Sequence, residues 1–203
     1  MFANRTEAGQ LLAELLKKYS GTNSIVLAIP RGGVPVGYEV ARALHLPLDI
    51  ALAKKIGHPG NSEYAIGAVS PDSVVINEEL DIPESYISAE AERLQSALRQ
   101  RQQLFRGNRP PIDLKNKNVI IVDDGIATGY TLLATIQMLR KHQPAKIIVA
   151  VPVAPLGGYS LIEQEADEFI CLDTPDYFPG VGAFYKNFEQ VEDETVIGLL
   201  NKS

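Results

Sequence analysis

A single cysteine, Cys171, occurs in the 203 residues, so the chain cannot close an internal disulfide. Its setting in E-F-I-C-L predicts a buried strand residue. Histidine is scarce too, and His45, His58 and His142 show no metal-ligand spacing. No apolar run approaches the about 18 residues of a membrane span, and Met1 to Ser20 lacks the charged-then-apolar order of a secretion signal. A reducing cytoplasm is therefore the expected compartment. Positive charge is in deficit, 19 Lys and Arg against 25 Asp and Glu for a net charge of −6, which argues against a general binder of nucleic acid or anionic membranes. Internal repeats and low-complexity segments are absent. What is present, 45% apolar residues over this length, fits one sizeable globular domain, and two independent domains are not expected.

The centre of the chain is Val119 to Thr131, V-I-I-V-D-D-G-I-A-T-G-Y-T. Four β-branched or aliphatic residues in a row mark a strand buried on both faces, because a half-exposed strand would alternate with polar residues. Asp123 and Asp124 come where the strand should end, followed by Gly125, Gly129, Thr128 and Thr131, then by helical spacing in L-L-A-T-I-Q-M-L-R. A loop that opens a helix presents unpaired N–H groups and the positive end of the helix dipole, which suits a phosphate. The two carboxylates suit vicinal hydroxyls or a hydroxyl-bound divalent cation. A phosphorylated ribose has both features. Receiver domains of response regulators also begin with an acidic pair at a strand end, but such a domain needs about 120 residues, and 85 remain from Val119. A merely acidic turn is disfavoured, since adjacent carboxylates repel unless something cationic or hydroxylated lies between them.

A second strand, tight loop and helix precedes it. Ile25 to Pro30 reads as strand, Arg31-Gly32-Gly33 as turn, and Val34 to Leu44 as helix, with Pro35 in the first turn where a missing N–H costs little. Glycines let backbone approach a ligand, and a fixed arginine favours an anion with bidentate geometry. The stretch L-P-L-D-I-A-L-A-K-K is expected as the next strand, and Ile56 to Ser62 as a mobile loop between two strands. Further strands are expected at Ser73 to Ile76, Ala145 to Val153 and D-E-F-I-C-L, and short helices at G-G-Y-S-L-I-E-Q-E-A and at the end of the chain. At the start, Asn4 caps a helix whose apolar stripe is Ala8, Leu11, Leu12, Leu15, Leu16 and Tyr19, with Lys17 and Lys18 complementing its dipole. Pro83 to Arg106 holds a long helix with Ala91, Leu94, Ala97, Leu98, Arg101 and Phe105 on one side and an excess of arginine. A solvated or dimer-facing helix is the sober reading and an RNA-contacting face the sharper one, though no aromatic stacking platform accompanies it. Alternating strands and helices call for an α/β fold, a mainly parallel central sheet flanked by helices, with ligands beyond the C-terminal strand ends.

On the residues V-I-I-V-D-D-G-I-A-T-G-Y-T the chain resembles the 5-phosphoribosyl-1-pyrophosphate (PRPP) signature of type I phosphoribosyltransferases. The resemblance implies a Rossmann-like core over about 20–172 and a small hood over about 173–203, with the N-terminal segment as a candidate part of it, in one domain over 1–203. It implies transfer of the phosphoribosyl group of PRPP to a nitrogenous base, or the reverse, with Mg2+ as cofactor, PRPP and a small-molecule base as partners, and a homodimer. PRPP would be held by Arg31, Gly32, Gly33, Lys54, Lys55 and the run Asp123, Asp124, Gly125, Ile126, Ala127, Thr128, Gly129, Tyr130 and Thr131. Asp123 and Asp124 would meet the metal mostly through ribose hydroxyls. Arg31, Lys55, Glu63, Asp123 and Asp124 are the catalytic candidates, with His58 a further pyrophosphate contact; K-K-x-G followed by E-Y is similar to the loop of adenine phosphoribosyltransferases. P-D-Y-F-P-G-V-G resembles the purine-stacking segment of hypoxanthine-guanine enzymes, which points to Phe178 as the stacking residue and to Tyr185 or Phe188 as alternatives. Ala127 stands where those enzymes carry the aspartate that serves purine N7, a departure that keeps a second function open, a PRPP- or nucleotide-sensing regulator without turnover.

Overall fold

The computed structural model describes residues 1–76 and 80–203, apart from the side chain of Glu63. Its main sheet is parallel throughout, in the order β2-β1-β6-β7-β8, with β1 Ser24–Ala28, β2 Leu48–Ile50, β6 Asn118–Val122, β7 Lys146–Val153 and β8 Glu168–Asp173. Every residue of β1 is buried, as are Val119 to Val122 and Ile147 to Val153, as expected for strands covered on both faces. The two-residue period divides them cleanly. Val26, Ala28, Ile120, Val122, Ile148 and Ala150 face α1 (Arg5–Leu15), α2 (Gly33–Leu44) and α6 (Asp193–Leu200). Ile25, Leu27, Val119, Ile121, Ile147 and Val149 face α4 (Tyr130–Arg140) and α5 (Ser160–Glu165). From β1 the chain proceeds through α2 outward to β2, whereas from β6 it proceeds through α4 the opposite way to β7. The loops after β1 and β6 therefore lie side by side at the switch point of the sheet, the place where such folds bind ligands.

The stretch read as one strand, L-P-L-D-I-A-L-A-K-K, is split between two sheets. β2 ends at Ile50, and Lys54 opens β3 (Lys54–His58), which pairs antiparallel with β4 (Asn61–Val69), itself paired with β5 (Val74–Ile76). Most of the expected loop Ile56 to Ser62 is thus hairpin. Only Pro59 and Gly60 lie between the strands, and His58 Nδ1 accepts the Gly60 N–H at 3.0 Å to close the turn. The long helix, α3 (Glu84–Arg106), covers this hairpin with Ala91, Leu94 and Leu98 packed on Ile56, Ile66 and Val69. Its arginines largely serve the chain itself: Arg99 donates to Pro71 O, Arg106 to Asp49, and Arg109, just beyond the helix, to Leu200 O. A fully solvated helix therefore does not describe it.

α1 is capped as its sequence indicates, Asn4 Oδ1 accepting the Glu7 N–H at 3.0 Å. Of its apolar stripe, Leu12 and Leu16 are buried, but Leu11 and Leu15 are 45% and 49% exposed because α1 meets α2 along a narrower face. Lys18 does more than complement a dipole, since it pairs with Glu168 on β8, which also accepts the Tyr19 hydroxyl. After β8 the chain folds back over the strand ends. Phe2 N donates to Phe184 O and Lys186 N to Phe2 O, so the N-terminal residues and the tail share a cluster of Phe2, Tyr185, Phe178, Phe184 and Phe188 around Val153. Among the described residues no helix is long and apolar enough to cross a membrane.

Candidate active site

Asp123 and Asp124 leave β6 directly against the turn that follows β1. The fit is tight enough to explain both glycines of that turn. A Cβ on Gly32 would lie 2.6 Å from Asp124 Cγ, and one on Gly33 would lie 2.7 Å from Val122 O and 2.9 Å from Asp123 Cα. The R-G-G turn expected to approach a ligand thus also approaches the acidic pair. Asp124 N donates to Asp123 Oδ1 at 2.9 Å. Burial, and then the Asp124 charge beside it, push the Asp123 carboxyl well above the usual carboxylate range. Asp124 is also raised by its burial, with Arg5 working against the shift. A hydroxyl donor or a cation placed here would relieve both effects.

The following loop keeps Ile126 buried, its N–H on Val153 O at 2.8 Å, while Ala127, Thr128, Tyr130 and Thr131 are exposed. Gly129 caps α4 at φ 75°, a conformation that costs other residues energy, and no side chain occupies the cap. The start of α4 therefore opens towards solvent with its unpaired backbone donors, the Thr131 hydroxyl in the first turn and the Thr128 hydroxyl just before the cap, a ready anion site.

The structure brings some of the expected residues together and not others. Lys55 Nζ sits 4.6 Å from the centroid of the Tyr130 ring, which joins the hairpin to the start of α4. Arg31 Nη1 lies 3.4 Å from Asp193 Oδ1 at the start of α6. Lys54 is exposed, and His58 stays on the hairpin turn, edge-on to Tyr64 at 6.0 Å. Glu63 belongs to β4, but its side chain lies outside the described residues. Phe178 stacks on Phe184 at 5.4 Å and is half-buried. Tyr185 does not face an open base site. It is 6% exposed between Phe2 and Phe188, its hydroxyl donates to Asp124 O at 2.6 Å, and burial holds the phenol protonated well above its ordinary range.

Two participants escaped the sequence reading. Arg5 places Nε and Nη2 each 2.9 Å from Asp124 Oδ2, and Asp193 meets Arg31; both lie more than a hundred residues from their partners, where no local pattern signals them. The Tyr185 hydroxyl offers a direct check on this support. Tyr185→Phe keeps the ring packing but leaves the Asp124 carbonyl without its donor, a loss of about 1–2 kcal/mol. Thermal unfolding should show a midpoint lower by roughly 2–8 °C for a chain of this size, and an unchanged midpoint would assign the hydroxyl no part in holding the loop.

Among the described residues no group of three His, Cys, Asp or Glu could hold a metal. Two adjacent carboxylates nonetheless fit Mg2+, which binds through one or two carboxylates and completes its shell with water and substrate oxygens. Asp123 and Asp124 would hold it mostly through the hydroxyls of a bound substrate, since Asp124 Oδ2 already accepts from Arg5.

Comparison with known proteins agrees with this architecture. The structure of TT1426 from Thermus thermophilus superposes with a TM-score of 0.92 at 39% identity, covering 99% of this chain and 98% of that one. A Mycobacterium tuberculosis protein provisionally named a phosphoribosyl transferase is 40% identical over 209 residues, which cover 100% of this chain and 47% of that protein, so the chain spans about half the length of this relative. The hypoxanthine-guanine phosphoribosyltransferase of Streptococcus pneumoniae is 27% identical over 201 residues, 97% of this chain and 88% of that enzyme. The model of the phosphoribosyl transferase domain matches residues 3–184, and the chain belongs to that family.

Proposed function

We propose that the chain transfers the 5-phosphoribosyl group of PRPP to a nitrogenous base with release of pyrophosphate, or runs the reverse reaction, in which pyrophosphate is taken up and PRPP re-formed. The observation that carries this reading is the abutment of the acidic pair and the R-G-G turn beside an uncapped helix start, all at the switch point of the sheet. The first turn of α4, with Thr128 and Thr131, receives the 5-phosphate. Asp123 and Asp124 accept from the ribose hydroxyls. Arg31 exchanges Asp193 for pyrophosphate, with Lys55 and Lys54 reaching in from the hairpin. Bound Mg2+ would supply further positive charge for the pyrophosphate oxygens. The chemistry asks for little covalent help, because an oxocarbenium-like ribose forms as pyrophosphate departs, and the chain's part is to position a nitrogen nucleophile and hold the leaving group.

A purine is the acceptor class to examine first, in view of the Streptococcus pneumoniae relative, with Phe178 as the stacking candidate and Ala127 weighing against 6-oxopurines. A cytoplasmic homodimer belongs to the same reading, and the exposed Leu11 and Leu15 of α1 offer apolar surface for a partner. The test is pyrophosphate release from PRPP with Mg2+ across adenine, hypoxanthine, guanine, xanthine, uracil and orotate, beside PRPP titration of the wild type and Asp124→Asn. Release with one base, and PRPP affinity at least tenfold weaker in the variant, are expected. PRPP binding without release across the panel would favour the sensing regulator, and unaltered affinity in the variant would remove the role given to Asp124.

A further inference from the structure

The Arg5 guanidinium is committed on every side. Nε and Nη2 each lie 2.9 Å from Asp124 Oδ2, Nη1 donates to Glu189 O at 2.8 Å, and Cζ sits 3.9 Å over the Phe188 ring. The side chain is 12% exposed. This differs from the neighbouring pair of Arg31 and Asp193, which is longer at 3.4 Å and more open, at 28% and 36% exposed. The second pair is built to exchange, whereas the first is built to stay. A cation fixed this close to Asp124 repels a second cation and leaves the acidic pair with a net charge of no more than about −1.

We propose that Arg5 is a positioning residue that keeps the acidic pair from holding a free divalent cation, so that metal enters the site with PRPP. The inference rests on the proposed transferase reading for its purpose, but not for its test. Asp124 Oδ2 is already engaged, so a bare metal ion would have to compete with a guanidinium that is hydrogen-bonded, stacked and largely removed from water. PRPP carries its own oxygens for the metal and asks of Asp124 only hydrogen-bond acceptance from hydroxyls, which a paired carboxylate still provides. Arg5 therefore discriminates between the metal alone and the metal with its substrate.

The test is titration of the substrate-free protein with Mn2+, followed by electron paramagnetic resonance of the free ion. Arg5→Met, which keeps an apolar contact over Phe188 without the charge, should bind Mn2+ at least tenfold more tightly than the wild type. Arg5→Lys, which keeps the charge, should stay near the wild type, and Arg5→Met combined with Asp124→Asn should lose the gain. If Arg5→Met does not fold, Arg5→Gln takes its place with the same expectation. Wild-type Mn2+ affinity in the folded charge-free variant, or a gain that survives Asp124→Asn, would overturn the proposal. A parallel titration of the wild type with PRPP and Mg2+ separates the two readings. Absence of PRPP binding counts against the transferase, whereas intact PRPP binding with no Mn2+ gain in the variant counts against Arg5 alone.

Discussion

Gly32→Ala should abolish PRPP binding while the sheet stays folded. The added methyl would stand 2.6 Å from Asp124 Cγ and closer still to Oδ2, so one of the two loops must give way. Asp124 is held by Arg5 on one side and, through its carbonyl, by Tyr185 on the other, while the backbone beside Gly32 is pinned by the Gly33 N–H on Ile29 O at 3.0 Å. Relief must come from swinging the Asp124 carboxylate away, which breaks its ion pair, or from lifting the R-G-G turn off the acidic loop. Either movement separates groups that the proposed mechanism uses together. Overpacking of this kind costs about 1–3 kcal/mol, too little to unfold an ordinary domain, so binding should be lost in a protein that remains folded. We expect PRPP affinity at least a hundredfold weaker by calorimetric titration, with a folded protein by circular dichroism. Gly198→Ala is the matched control, since a methyl there meets nothing within 4 Å and a helical position favours alanine. Wild-type affinity in Gly32→Ala would show that the contact between the two loops is not part of the binding site.

The acidic loop and its glycines were legible because their signals are local. Val119 to Val122 can only be a buried strand, Asp123 and Asp124 mark its end, and Gly129 fits a left-handed helix cap, all within a dozen residues. The α/β order was legible for the same reason, each strand being a short apolar run bounded by a turn. The bounds of the hairpin, and its place in a second sheet, were not. L-P-L-D-I-A-L-A-K-K has one continuous apolar character, and nothing in it says that Ile50 belongs to one sheet and Lys54 to another; that division is made by α3, which supplies the apolar face under Ile56 and Ile66. Tyr185 was misplaced because an aromatic in a Gly- and Pro-rich tail reads equally as a stacking platform or as packing, and only its contact with Asp124 O decides. Arg5 had no signal at all, since a residue one place beyond a helix cap gives no hint of a partner 119 positions away.

The largest effect on stability should come from Asp49→Asn, at a site remote in sequence from the acidic loop. Asp49 lies on the edge strand β2 at 8% exposure and makes three hydrogen bonds: Oδ1 accepts from Arg106 Nε at 3.1 Å and from Ile50 N at 2.8 Å, and Oδ2 accepts from Arg106 Nη2 at 2.9 Å. The pair is bidentate and both side chains are 10% exposed, so removing one charge strands the other in a place that water reaches poorly. Breaking such a pair costs about 3–5 kcal/mol, and at roughly 2–4 °C per kcal/mol for this size the unfolding midpoint should fall by roughly 6–20 °C. Replacing both partners, as in Asp49→Leu with Arg106→Met, should restore part of that loss, because the penalty arises from the unpaired charge rather than from the absence of the bridge. The consequence reaches the proposed site through α3. Arg106 ties the end of this helix to β2, and the same helix covers the hairpin that carries Lys55 to Tyr130. Hydrogen exchange of Asp49→Asn should therefore show protection lost in β3 and β4 before β6 and β7. Equal loss across all four strands would mean that the hairpin and the parallel sheet unfold as one unit, and that α3 does not position Lys55 separately from the rest of the chain.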